Sequence, residues 1–419
     1  MPPGVCVVDT PHKGRCVRAE QDFAVGQCVL TDTPLFVISE THCNACLQPH
    51  CALQCPTFQA TYQPLLGLFQ DYEALAEKFD IDDILVLYAL KFVGQVMAGI
   101  LDAKSVLGHF FNPLRLVHRD VIGHFYEFAD HVLEQVDGSV PLDGEDIVSA
   151  IGIYSCNSHR IPSLDGGGLY PKAAMLEHSC RYNAQGTIYE GLEIRYHAAE
   201  PIAAGEAITI SYVPCYLSTA QRNAALEKYF FQCHCAICTT EPDLVRAFQC
   251  PACGDGTLCP RGWGHDVADW VCLNCQQCCT TAQREAMLQA EAAADSVDPF
   301  SLPVTATAAD GVLRARHYAL YRALDSQIAD LAASGRAQCL NEALGALLKA
   351  LEETQQQYHP QKATVLELMG QLQNAIGNAE AAAEAYGRAY SIRVVCNGAD
   401  ANETRKAFRL SSLRSACKE

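Results

Sequence analysis

Leu176-Glu177-His178-Ser179-Cys180-Arg181-Tyr182-Asn183 is followed by Gly205-Glu206-Ala207-Ile208-Thr209-Ile210-Ser211-Tyr212 and then by Cys233-His234-Cys235-Ala236-Ile237-Cys238. The last segment speaks most directly. Three thiolates within six residues can wrap one tetrahedral ion at a Zn–S distance of about 2.3 Å, leaving a fourth corner that Cys180 could fill. The plainer alternative is reduced cysteines packed as small hydrophobes, but clustering this tight favours metal. A cysteine nucleophile at Cys180 is disfavoured, because its base must meet it in space and the adjacency of His178 in the chain does not achieve that. The stretches Ile188 to Tyr196 and Ala207 to Val213 have strand character.

Two more cysteine groups lie outward from this centre. Cys250-x-x-Cys253 and Cys272-x-x-Cys275 are separated by eighteen residues that hold Gly254, Gly256, Gly262 and Gly264, the pattern of a zinc ribbon. Cys259, Cys278 and Cys279 compete for the ligand positions. Nearer the N-terminus, Cys43-x-x-Cys46 with Cys51 and Cys55 can close a small site, with His50 as a substitute ligand. There the second pair is spaced by three, so a metal-free loop stays open as an alternative. In all, the chain has 23 cysteines in 419 residues. An odd count spread over a long chain does not suit a disulfide framework, and the first sixteen residues lack the charged and apolar regions of a secretory signal. A reducing compartment, cytosol or nucleus, is expected.

At this length two to four domains are expected, and 49% hydrophobic with 19% charged residues excludes a mainly disordered chain. The net charge of −18 argues against a protein that tracks nucleic-acid phosphates. Gly4 to Ser39 reads as short strands, and Tyr62 to Val136 as helices with apolar stripes. Ile84 to Leu101, interrupted by Lys91 and Gln95, reads as a buried amphipathic helix and not as a membrane span. Asp295 to Thr307 looks like a linker. From Gly311 onward the chain is helical, and Gly377 to Tyr390 has the spacing of a tetratricopeptide-type hairpin, with an ordinary antiparallel bundle as the alternative.

The order of these motifs, with Cys156-Asn157-Ser158 and Gly168-Leu169-Tyr170-Pro171 ahead of His-Ser-Cys, resembles the SET and MYND domain family of protein lysine methyltransferases. The resemblance runs over about residues 4 to 240 and continues by pattern to the C-terminus. It implies an α+β fold: SET-domain β-sheets closed by a pseudoknot, a helical insertion, a zinc-binding post-SET segment, a zinc ribbon and a C-terminal all-α, TPR-like domain. The implied division is 1–42 for the N-terminal part of the SET domain, 43–56 for a short MYND-like insert and 57–146 for the helical insertion. The SET core then takes 147–213, the post-SET zinc segment 214–240, the ribbon 241–280 and the helical domain 306–419.

By the same resemblance the protein is an S-adenosylmethionine-dependent lysine N-methyltransferase of histone or other proteins. Tyr212 is then the catalytic residue. Lys13, Gly14, Arg15, Asn157, Ser158, Glu177, His178, Tyr212 and Phe231 surround the cofactor, with Phe231 packed on adenine. Cys180 joins Cys233, Cys235 and Cys238 on one zinc, Cys250, Cys253, Cys272 and Cys275 hold a second, and Cys43, Cys46, Cys51 and Cys55 leave room for a third. The implied partners are a protein substrate with an exposed lysine and a protein bound by the helical domain. Nucleic acid and membrane are not expected, and the chain is expected to be a monomer.

Three features depart from the family pattern. Glu177 stands where Asn is usual, Gly14-Arg15-Cys16 replaces a Gly-x-Gly, and the cysteine insert is much shorter than a full MYND finger. The first two support an alternative: a SET-like, zinc-stabilised scaffold with weak or no activity.

Overall fold

The computed structural model describes residues 3–11, 14–49, 52–136, 138, 140–214, 216–264, 266–296 and 312–412. Strands β1 (Val5–Thr10), β2 (Gly14–Ala19), β3 (Cys28–Asp32) and β4 (Phe36–Ser39) precede a helical segment. After it come β5 (Ser158–Ile161), β6 (Gly166–Leu169), β7 (Glu177–His178), β8 (Ala184–Ile188), β9 (Ile194–Ala198) and β10 (Thr209–Ile210). Strands from the two sides pair with each other: the sheet orders are β3-β9-β8 and β4-β6-β5, beside the β1-β2 hairpin. The expected architecture, strands closing around a helical insertion, is what the chain adopts.

In β6 the run Gly166-Gly167-Gly168 is a packing requirement. A Cβ on Gly166 would sit 2.1 Å from the Ile38 carbonyl oxygen, and one on Gly167 would sit 2.7 Å from the Tyr154 hydroxyl. Without side chains, β6 fits between β4 and β5 with the insertion against its face.

The insertion is a cluster of helices between Pro56 and Asn157 around Tyr62, Tyr88, Phe92, Phe128 and Ile147. Its central helix, Asp83–Met97, is buried as expected, with Val86 through Gly94 all out of solvent. Lys91 is only 4% exposed; its ammonium donates to the Val37 carbonyl and lies 5.3 Å from the Phe36 ring centroid. Burial pushes that ammonium's pKa down to about 7. Lys91, which interrupts the apolar run in sequence, meets strand β4. No described helix is long and apolar enough to cross a membrane. The last helix of the insertion, Gly144–Asn157, starts on an Asp143/Asp146 capping box and delivers Asn157 and Ser158 to the site.

Beyond β10, a helix at Thr219–Leu226 leads to a three-stranded sheet of β11 (Phe248–Gln249), β12 (Thr257–Pro260) and β13 (Trp270–Cys272). Among the described residues, six helices follow between Thr281 and Ser412. Most of the expected linker lies outside the described residues. The hairpin of Pro360–Ala375 and Ala379–Asn397 packs so closely that a Cβ on Gly370 would come 2.6 Å from the Tyr386 ring. The second of these helices also lies against β8 and β9. There the Tyr189 hydroxyl donates to the Asn397 carbonyl, and a Cβ on Gly398 would be 2.5 Å from that hydroxyl. The helical region thereby forms one wall of the cleft described next.

Candidate functional site

β7 and β10 are two residues each and pair in parallel, Thr209 with Glu177 and Ile210 with His178. This short ladder brings two distant segments side by side. The Ser179 amide donates to the Ile210 carbonyl at 3.0 Å, and the Tyr212 amide donates to His178 Nδ1 at 3.0 Å. The Tyr212 hydroxyl donates to the Leu176 carbonyl. Burial first, then Tyr229 and Glu177, raises the Tyr212 phenol above its ordinary range, so it keeps its proton at neutral pH.

Aromatic rings pack near the Tyr212 and His178 rings. Tyr229 lies 5.1 Å from Tyr212 between centroids, and Phe231 lies 6.0 Å from His178 and 6.3 Å from Tyr212. Between them Phe230 takes a left-handed backbone conformation, φ 61°. A non-glycine residue held there costs of order 1 kcal/mol or more. The twist separates Tyr229, which lines the cleft, from Phe231, which stays 38% exposed.

The cleft has a volume of about 1070 Å³. Tyr154, Ser158, Tyr212 and Tyr229 line it on one side, and His359 and Asn397, from the C-terminal helices, on the other. Sequence reasoning missed those last two, since nothing in their local pattern links them to Tyr212. Cys156 was also missed as a lining residue; its thiol donates to the Lys228 carbonyl at 3.2 Å, and burial pushes its pKa up to about 11.

The predicted site residues are placed unequally. Lys13 lies outside the described residues. Gly14 has φ +65° and open space where a Cβ would be. Arg15 donates to the His109 carbonyl. Asn157 is turned inward, its Nδ2 donating to the Phe111 and Ile153 carbonyls at 2.8 and 2.7 Å. Ser158 opens β5 opposite Leu169. The two unusual residues meet: the Cys16 thiol is raised by burial and by a hydrogen bond to the Glu177 carboxylate.

Cys180, Cys233, Cys235 and Cys238 bring their sulfurs within 4.8 Å of one another, as a tetrahedral metal requires. Around them are polar groups that the sequence did not announce. Asn223 accepts the Cys233 amide at 2.7 Å and donates to Cys238 Sγ at 3.7 Å. Arg222, 3% exposed, lies 3.8 Å from Asp243. Burial opposes its charge, but Asp243, Cys180 and Cys238 outweigh that and raise its pKa. Cys250, Cys253, Cys272 and Cys275 form a second such group, and Cys43, Cys46 and Cys55 a third. Cys259, Cys278 and Cys279 are not in the second group, and Cys51 and His50 lie outside the described residues.

A family model described as the SET domain matches residues 14–213. "Histone-lysine N-methyltransferase ASHR1" of Arabidopsis thaliana is 24% identical over 266 residues, 56% of this chain and 54% of that protein. "N-lysine methyltransferase SMYD2-A" of Xenopus laevis is 22% identical over 272 residues, 57% of this chain and 62% of that protein. "Histone-lysine N-methyltransferase SMYD3" of Mus musculus is 33% identical over 101 residues, 23% of each chain. Residues 14–213 are thus similar to the SET domain, and the relatives bearing SMYD names match this chain over part of their length. It spans about half the length of the Arabidopsis relative. A solved structure described as Rubisco LSMT bound to AdoMet aligns over 98% of this chain and 93% of its own, at 13% identity and a TM-score of 0.30, a likeness too distant to argue from. The matched segment contains the β7–β10 ladder, and Cys180 within it joins the sulfurs of Cys233, Cys235 and Cys238.

Proposed function

We propose that this protein is an S-adenosylmethionine-dependent protein lysine N-methyltransferase. The observation that carries the reading is the β7–β10 ladder, which sets Tyr212 beside His178 at the wall of the large cleft. The residues fit such a cofactor: Phe231 offers a half-exposed ring suited to adenine, and Gly14 leaves room for close backbone approach. When bound, the cofactor supplies a sulfonium methyl group for in-line transfer to an amine.

The chain's own part is positioning and exclusion of water. A lysine amine has an ordinary pKa of about 10.4 and must arrive neutral; the aromatic walls of Tyr154, Tyr212 and Tyr229 disfavour its charged form. The Tyr212 hydroxyl donates its hydrogen bond to the Leu176 carbonyl, so its oxygen lone pairs remain to orient the amine. The thiolate groups at Cys180 and Cys250 are read as two zinc sites, with the Cys43 group as a third. The reading places the protein in cytoplasm or nucleus, with a lysine-bearing protein as substrate and the TPR-like hairpins as a surface for a further protein partner.

The test is a calorimetric titration with S-adenosylmethionine, followed by methyl transfer to lysine peptides. Tyr212→Phe should lower kcat by 100-fold or more, on the order of what one positioned polar group contributes, with cofactor Kd within about threefold. A folded wild type with no cofactor affinity would defeat the proposal. The Cys16–Glu177 contact favours a second reading, a SET-like scaffold without activity, because a carboxylate there can repel the cofactor's own. Cofactor binding that appears only in Cys16→Gly/Glu177→Asn would establish it.

A further inference from the structure

His178 touches both halves of the site through different ring nitrogens. A backbone amide can only donate, so the Tyr212 amide at 3.0 Å requires Nδ1 to be the accepting, unprotonated nitrogen. The ring proton then resides on Nε2, which lies 3.5 Å from Cys180 Sγ. That sulfur is 3.5 Å from Cys238 Sγ and 3.9 Å from Cys233 Sγ, inside the four-thiolate group. A metal-bound thiolate is a good acceptor for such a donor, and partners of this kind orient ligands and tune metal affinity.

We propose that His178 is a positioning residue that couples the Cys180–Cys233–Cys235–Cys238 zinc site to Tyr212. The thiolate fixes the imidazole tautomer, and the tautomer holds the Tyr212 amide, hence the ring that follows it. Loss of the metal releases Cys180 from the cluster that places its sulfur 3.5 Å from Nε2, and the imidazole loses that anchor. Coupling of this kind is reciprocal as long as His178 keeps both bonds, and cutting either bond uncouples the two sites. The inference rests on zinc in this cluster and not on the identity of the substrate.

The two hydrogen bonds can be cut one at a time. In His178→Asn the side-chain oxygen can stand where Nδ1 stood but the amide nitrogen cannot reach Cys180; in His178→Gln the terminal nitrogen can replace Nε2 while the contact with the Tyr212 amide is lost. Zinc content of the full chain is counted first, and protein without zinc on Cys180 defeats the zinc reading itself. On zinc-loaded protein, release to a chromogenic chelator gives one phase for each cluster, assigned with Cys253→Ser. His178→Asn should speed the Cys180 phase roughly tenfold, in the range of a lost metal-ligand partner, with the ribbon phase unchanged. His178→Gln should leave both phases near wild type yet raise deuterium exchange at the Tyr212 amide, and chelation should raise it no further. Unchanged release in both variants, or acceleration of both phases together, overturns the proposal.

Discussion

The two four-cysteine groups are alike in sequence and unlike in surroundings. Around Cys180, Cys233, Cys235 and Cys238 the chain places an imidazole, a carboxamide and a buried guanidinium. Around Cys250, Cys253, Cys272 and Cys275 the sulfurs take backbone donors, the Asn274 and Cys275 amides onto Cys272 Sγ at 3.4 and 3.5 Å. Arg314 is nearby but donates to the Gly254 and Gly256 carbonyls, so it braces the loop and not the thiolates. Four thiolates on a divalent ion carry two net negative charges, and Arg222 offsets part of that charge inside the protein. The more exposed ribbon, with Cys253 on the surface, leaves the same charge to water and to the peptide dipoles. One site is wired to Tyr212, whereas the other clips a local sheet.

The largest expected effect separates them directly. Cys180→Ser should release one zinc and abolish cofactor binding, since Cys180 follows the β7–β10 ladder by two residues. Cys253→Ser should release the other zinc and leave cofactor Kd within about threefold of wild type. Calorimetry with metal analysis reads both, and equal loss of cofactor binding in the two variants would erase the distinction drawn above. Next in size is Arg222→Met. Removing one member of a buried ion pair costs about 3–5 kcal/mol, here with Asp243 and the thiolates left unbalanced. Thermal unfolding of the zinc-loaded protein checks it, and a change under 1 kcal/mol would show that Arg222 contributes little net stability.

That asymmetry was only half legible in the sequence. The ribbon set and the Cys233–Cys238 run follow from spacing, because metal geometry demands several ligands in a short reach, whereas Cys180 enters through the family resemblance. The pairing of His178 with Tyr212 follows from motif order through the family resemblance. Arg222 and Asn223 could not be read: the Thr219–Leu226 helix is polar on most faces and carries no periodic signal, and its burial comes from Asp243 and the thiolates that enclose it. The burial of the Ile84–Leu101 run was legible, but the partners of Lys91, the Val37 carbonyl and the Phe36 ring, lie on a distant strand that no local pattern names. The cleft wall of His359 and Asn397 depends on how the helical region docks on β8 and β9, a contact no local pattern encodes.

The ribbon's link to the helices gives a prediction in pH. Glu291 accepts from Arg246 Nε and Nη2 at 2.8 and 2.6 Å and lies 3.2 Å from the buried His317. Burial alone would raise its pKa, but the hydrogen bonds from His317 and Arg246 outweigh that and hold it down to about 2. A carboxylate held below its unfolded value of about 4.3 stabilises the fold fully above that pH and loses the contribution as pH falls toward 2, on the order of 3 kcal/mol in all. Glu291→Gln should therefore unfold more easily at pH 7 and show a flatter loss of stability between pH 4.5 and 2. Parallel acid curves for wild type and variant would contradict this.

The smallest effect concerns the ribbon loop itself. A Cβ on Gly256 would lie 2.5 Å from Cys272 Sγ and 2.7 Å from Cys253 Sγ, closer than any side chain can sit. Gly256→Ala must push one sulfur off its tetrahedral corner, and because Cys253 is exposed the loop can give way on that side. Relief by movement limits the cost, so zinc affinity at the ribbon should fall about tenfold, near 1.4 kcal/mol, and the Cys180 group should be untouched. Competition with a chelator of known affinity measures it. An unchanged ribbon affinity would mean that the loop relaxes at no cost, and a fall at both groups would mean that the two sites are not the independent units their surroundings imply.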